Sequence, residues 1–165
     1  MSITGTETHL PSTKEIRDLF TGLLGREVTL TPVGPLAPSS ASPRTVAVYV
    51  DDHFGVRAII ACDLDFSARA GAAIALVPAP TAEAAIETNG LDDSLAENLY
   101  EVLNVAASLF NASGAAHVRL LELHAAGRAI PPQVLSLMLT LGRREDLEIT
   151  IPGYGAGRLS IVICA

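Results

Sequence analysis

Tryptophan is absent from this 165-residue sequence, and aromatic residues make up only 4% of it. The core must therefore be built from Ala, Val, Leu and Ile. Basic residues are also scarce. Lys14 is the only lysine, and the net charge is −7 with a pI near 4.9. No basic patch is visible, which argues against nucleic acid or an anionic membrane surface as partner. Long hydrophobic runs are missing. The strongest apolar stretch, residues 70–80, is too short to span a bilayer. Residues 1–15 show neither the basic nor the apolar region of a signal peptide, so the expected location is cytoplasmic. There the sequon Asn111-Ala112-Ser113 carries no meaning. The two cysteines, Cys62 and Cys164, stand at the ends of apparent strands. They read as small buried hydrophobes in a reducing cytosol, with a disulfide as the minor alternative.

What is present is a succession of well-marked elements. Ser12 and Glu15 have capping-box spacing. Ile16, Leu19, Phe20 and Leu23 follow at helical intervals, and Gly25 closes the run. Residues 26–33 read as a strand, and 34–44 as a Pro/Ser loop. Residues 45–50 and 55–62 form a hairpin reading, with Asp51, Asp52 and His53 at its tip. Two Ala-rich stretches, 67–77 and 81–90, read as helices, the second ended by Gly90. A long helix starts at Asp92 or Asp93 and runs to about Asn111. Residues 115–125 read as a strand. Residues 130–142, with Pro131 and Pro132, are open between helix and apolar strand. A second hairpin, 146–152 and 157–164, closes the chain over Gly-Tyr-Gly-Ala-Gly at 153–157.

The order helix, strand, hairpin occurs twice. Residues 19–30 align without a gap on 109–120, matching Leu19, Phe20, Val28 and Leu30 with Leu109, Phe110, Val118 and Leu120. Gly55 precedes Cys62 by the same interval as Gly157 precedes Cys164. This predicts an α+β chain of duplicated halves, about 12–63 and 92–165, joined by the Ala-rich segment 64–91. The strands are expected to form one largely antiparallel sheet. The two long helices should pack together on one face, leaving the other wet or paired.

On the second long helix, Leu95, Leu99, Val102, Leu103, Ala106, Leu109 and Phe110 share one side at about 100° per residue. Asp93, Glu97, Glu101, Asn104 and Ser108 lie opposite. Glu97 and Glu101 are like charges one turn apart, and Asn104 is a poor helix-interior residue, so neither choice favours the helix itself. A solvated face is one explanation. A site acting outside the protein is the other. A carboxylate can pair with a partner's ammonium, and an amide can position an attacking water without carrying charge.

Around Leu99-Tyr100-Glu101-Val102-Leu103-Asn104 the sequence resembles the CheC/CheX-type chemotaxis phosphatases. The family mark is a Glu-x-x-Asn pair on an amphipathic helix, with a strand and a proline downstream. Glu101 and Asn104 supply the pair, and Pro131 or Pro132 the proline. Residues 146–163 resemble the family's closing hairpin. The chain differs in carrying Ser108 where a small residue, usually Gly, is expected. It has Glu97 in place of the more common Asp or Ser, and a longer interval from Asn104 to Pro131.

The resemblance implies a CheC-like fold and hydrolysis of the aspartyl phosphate on a CheY-type receiver domain. Asn104 would orient the water, Glu101 would engage the receiver's lysine, and Glu97 and Ser108 would join the partner-docking ridge. It implies no cofactor on this chain, since Mg²⁺ belongs to the receiver. A homodimer through a sheet edge is implied as well. The alternative is a non-catalytic docking or dimerisation module with the same fold. The repeat alignment sets Glu101 against Pro11 and Asn104 against Lys14, so one site per chain is expected.

Other motifs read as structural. The glycine-rich stretch 153–157 leads into a strand, not a helix, and is a tight turn rather than a phosphate loop. Asp51, Asp52 and His53 read as a hairpin tip rather than an acid–base cluster. His9, His53, His117 and His124 show no metal-ligand spacing.

Overall fold

The computed structural model describes residues 7–165. Residues 1–6, on which part of the signal-peptide reading falls, lie outside the described residues. The first helix, α1 (Thr13–Leu24), begins with the expected capping box. The Glu15 amide donates to Ser12 Oγ at 3.1 Å, and the Ser12 amide donates to Glu15 Oε1 at 3.0 Å. The helix ends on Gly25 at φ +67°, the left-handed conformation glycine adopts without strain. β1 (Thr29–Pro32) precedes a hairpin of β2 (Arg44–Val50) and β3 (Val56–Asp63). Asp63 caps α2 (Leu64–Ile74) by accepting the Phe66 amide at 2.8 Å.

The next helix, α3 (Ala79–Glu87), starts before the expected Thr81. Pro78 at the N-cap and a proline in the first turn preset its entry. Asn89, at φ +64°, supplies the left-handed turn just before Gly90. α4 (Asp93–Ala106) tightens into a 3₁₀ turn over Ala107–Phe110. β4 (Arg119–His124) follows. The ambiguous 130–142 segment contains a short helix, α5 (Pro132–Leu137), with Pro131 as N-cap and Pro132 in the first turn. β5 (Arg144–Ile151) and β6 (Gly155–Ile163) form the closing hairpin.

Among the described residues one six-stranded sheet results, in the order β1-β5-β6-β3-β2-β4, with every pairing antiparallel. Exchanging β1 with β4, β2 with β5 and β3 with β6 leaves this order unchanged. Each half thus lends its first strand to the edge of the other half's hairpin. The halves meet at the centre, where Ile60 lies opposite Ile161.

The packing of the helices differs from expectation in one respect. α2, read as part of a joining segment, is the helix seated on the sheet, and α4 packs onto α2. α1 packs against α2 and against the 3₁₀ turn that extends α4. Its Phe20 ring meets Phe66 of α2 edge-on, with centroids 5.7 Å apart. Small residues explain the close layering. A Cβ on Gly157 of β6 would fall 2.4 Å from Phe66 Cα, and one on Gly71 of α2 would fall 2.8 Å from the Leu95 carbonyl oxygen. Ala68, Ala70, Ala72 and Ala73 of α2 are all buried, so α2 is apolar around most of its circumference and shows no stripe.

The opposite face of the sheet is covered at its centre, while Thr29 and Thr31 of β1 and Glu122 of β4 are exposed on it. Val46, Val48, Ile59, Ala61 and Val162 there pack under Leu36, Val134 and Met138. The Leu36 amide is fixed by donating to Ser160 Oγ at 3.1 Å, and Ser160 donates to Asp146 at 2.6 Å.

Candidate functional site

Helix α4 carries the candidate residues, and its sequence explains its pose. Asp92 caps it by accepting the Leu95 amide at 2.8 Å, and Asp93 adds negative charge to the first turn, where the helix dipole favours it. Leu95, Leu99, Val102, Leu103 and Ala106 are buried. From below, Tyr49 of β2 donates its hydroxyl to the Leu103 carbonyl at 2.6 Å. Burial pushes the Tyr49 hydroxyl's pKa well above its usual value, so it stays a neutral donor.

Glu97, Glu101 and Asn104 are exposed on the outer side of α4, and Ser108 is exposed on the 3₁₀ turn beyond it. All four expected residues therefore share one outward ridge. None of their side chains makes a hydrogen bond or ion pair among the described residues, so their polar atoms are open to a partner. The helix bears Asp93, Glu97 and Glu101 and no Lys or Arg, so the ridge is acidic.

The ridge also has apolar flanks that pattern reading missed. Tyr100 is 42% exposed and Val105 41% exposed on α4. The signal was present, because Tyr100 and Val105 belong to neither the buried stripe nor the polar one. A groove of about 500 Å³ runs between α4 and β4, lined by Ala96, Glu97, Tyr100, Leu123, His124 and Arg128 among others. Glu101, Asn104 and Ser108 are not in its walls. The pair lies outside the groove, on the exposed side of the helix.

The remaining motifs resolve structurally. Asp51 accepts the His53 and Gly55 amides, each at 2.9 Å, and the Arg57 Nε at 2.7 Å. This is the hydrogen-bonded tip of a hairpin. Turn residues Pro152, Gly153 and Tyr154 link β5 to β6, and Gly155 is already in β6, so the glycine-rich stretch is a tight turn. His117 lies 3.4 Å from Asp52, and His124 lies 3.3 Å from Glu122. Among the described residues no three His, Cys, Asp or Glu side chains gather as a metal site, and no helix is long and apolar enough to cross a membrane. In the first half, Pro11 is buried ahead of α1, and Lys14 pairs with Asp18 at 2.7 Å. Cys62 and Cys164 are free, the first fully buried.

No protein-family model matches the chain, and no curated protein matches it in sequence. Solved structures do match. A chain of the FliG–FliM complex from H. pylori superposes with a TM-score of 0.59 at 10% identity, covering 94% of this chain and 87% of that one. FliY from Thermotoga maritima gives 0.51 at 15% identity, with 90% and 82% covered. A CheC-like superfamily protein from Shewanella sp. PV-4 gives 0.50 at 9% identity, with 91% and 92% covered. At these identities the likeness is one of fold.

Proposed function

We propose that this chain, which has the CheC-like fold, hydrolyses the aspartyl phosphate of a CheY-type receiver domain in chemotaxis or two-component signalling. The observation that carries this is the pose of Glu101 and Asn104. They lie one turn apart on a helix anchored from beneath, both are exposed, and neither side chain is engaged within the chain. The receiver supplies the phosphoryl group, its Mg²⁺ and a lysine. Glu101 pairs with that lysine and fixes the docking, helped by Glu97 and Ser108 along the ridge. Asn104 enters the receiver's site and holds a water in line with phosphorus through its amide. The water oxygen bonds to phosphorus as the bond to the aspartyl oxygen breaks. The electron pair leaves with the receiver's carboxylate, and phosphate is released. No charged base is needed on this chain, since positioning supplies most of the acceleration.

A second reading has its own support. Exposed Tyr100 and Val105 make the ridge a fitting protein-docking surface without turnover, and one structural likeness is to a chain of a FliG–FliM complex.

Phosphate release separates the two. Each receiver domain of the source genome, phosphorylated with a small-molecule donor, is mixed with the protein and release is compared with autohydrolysis. Acceleration by one receiver, abolished in Asn104→Ala and weakened in Glu101→Gln, is the expected result. Binding without release assigns the docking function instead. Neither binding nor release with any receiver overturns both.

A further inference from the structure

On the sheet face opposite α4, a groove of about 420 Å³ opens between the 37–43 loop, the 127–130 turn and α5. Pro43, Ile130 and Leu135 give it an apolar wall, while Ser39, Arg44 and Arg128 line it with donors. Among the described residues its lining includes no carboxylate. In a chain of net charge −7, two guanidinium groups line one small concavity.

Both arginines are poised. Arg44 opens β2 on the same face as Val46 and Val48. Its Nε donates to the Ala37 carbonyl at 3.0 Å and its Nη1 to Ser42 Oγ at 3.1 Å. These neutral partners hold the guanidinium in place, and Nη2 has no hydrogen bond among the described residues. Partial burial, and to a lesser degree nearby Arg158, lower the pKa of Arg44 from its usual value, with Asp63 offsetting part of this, so a bound anion would stabilise the charged form. Arg128 is half-exposed, and its Nη2 pairs with the exposed Asp93 at the start of α4. It lines both this groove and the one beside α4.

We propose that this groove binds a small organic anion, with its carboxylate or phosphoryl group between Arg44 and Arg128 and its apolar body against Pro43, Ile130 and Leu135. A planar or tetrahedral oxyanion suits the guanidinium fork, and the volume suits a ligand of few carbons. The ligand competes with Asp93 for Arg128, so binding and the first turn of α4 are linked.

The test is a titration of the isotope-labelled full chain, followed by NMR, with hexanoate, hexyl phosphate, hexanamide, acetate and inorganic phosphate. Saturable shifts confined to residues 38–44, 127–130 and α5 are expected for hexanoate or hexyl phosphate, with a Kd on the order of 1 mM. Whichever of the two binds tighter identifies the anionic group. Hexanamide should not bind. Arg44→Gln and Arg128→Gln should each weaken binding about tenfold. Asp93→Asn should tighten it severalfold by releasing Arg128. The proposal is overturned if acetate and inorganic phosphate bind as well as their hexyl counterparts, or if the shifts spread over the whole surface. It is also overturned if the exposed-site variant Arg128→Gln, which should fold normally, leaves binding unchanged.

Discussion

The Tyr49 hydroxyl and the Leu103 carbonyl meet 2.6 Å apart beneath the residue that carries the candidate amide, Asn104. The contact sits where α4 tightens. There the Ala107 amide turns to the carbonyls of Asn104 and Val105, and Tyr49 serves Leu103. Tyr49→Phe leaves that buried carbonyl short of a donor and should cost about 1–2 kcal/mol, read as a lower urea midpoint with an unchanged slope. Receiver dephosphorylation should fall with it. An unaltered midpoint would show that the bond contributes nothing.

Gly157→Ala should destabilise far more than an alanine elsewhere in a strand. The added methyl would lie 2.4 Å from Phe66 Cα and equally close to its amide nitrogen. Backbone, not a flexible side-chain tip, must then move, at a cost of about 3 kcal/mol or more. Calorimetry of the variant tests this, and a loss below about 1 kcal/mol would mean that α2 slides freely on β6.

Asp51 gives the acid limb of the stability curve a definite sign. Arg57 above all, then the Gly55 and His53 amides, hold its pKa down to about 2 from the ordinary 3.8. The folded value lies below the unfolded one, so its contribution is complete above about pH 4 and is lost as pH falls toward about 2. Asp63, whose pKa is raised chiefly by burial, tilts the curve the opposite way. Asp51→Asn should therefore flatten the loss between those pH values in urea midpoints, and an unchanged slope there would refute the assignment.

Both thiols should be sluggish nucleophiles. Burial pushes Cys62 well up and Cys164 to about 11, and thiolate is the reactive form. With iodoacetamide near pH 8, mass spectrometry should find slow labelling at half-buried Cys164 and labelling of Cys62 only on unfolding. Rapid modification of Cys62 in the folded chain would contradict its burial.

Several features were legible because local rules and tertiary packing agree. The Ser12–Glu15 box, the Gly25 stop and both hairpins occur where capping chemistry and alternation put them. The ridge was legible for the same reason, since Glu97, Glu101 and Asn104 oppose a continuous leucine stripe. The role of α2 was not, because an alanine-rich helix buried on nearly all sides has no amphipathic period to read. Residues 130–142 stayed ambiguous because a short apolar run fits helix and strand alike. Pro131 and Pro132 prove to be the helix start. Tyr100 and Val105 escaped notice because hydrophobicity alone does not distinguish a core residue from one awaiting another molecule.

The exchange of edge strands between halves also governs how the molecule is made. β1 finds its ladder only on β5, on the order of a hundred residues later. During synthesis β1 therefore stays without its ladder until β5 has been made. Cutting away the closing hairpin would leave both β1 and the outer edge of β3 without their ladders.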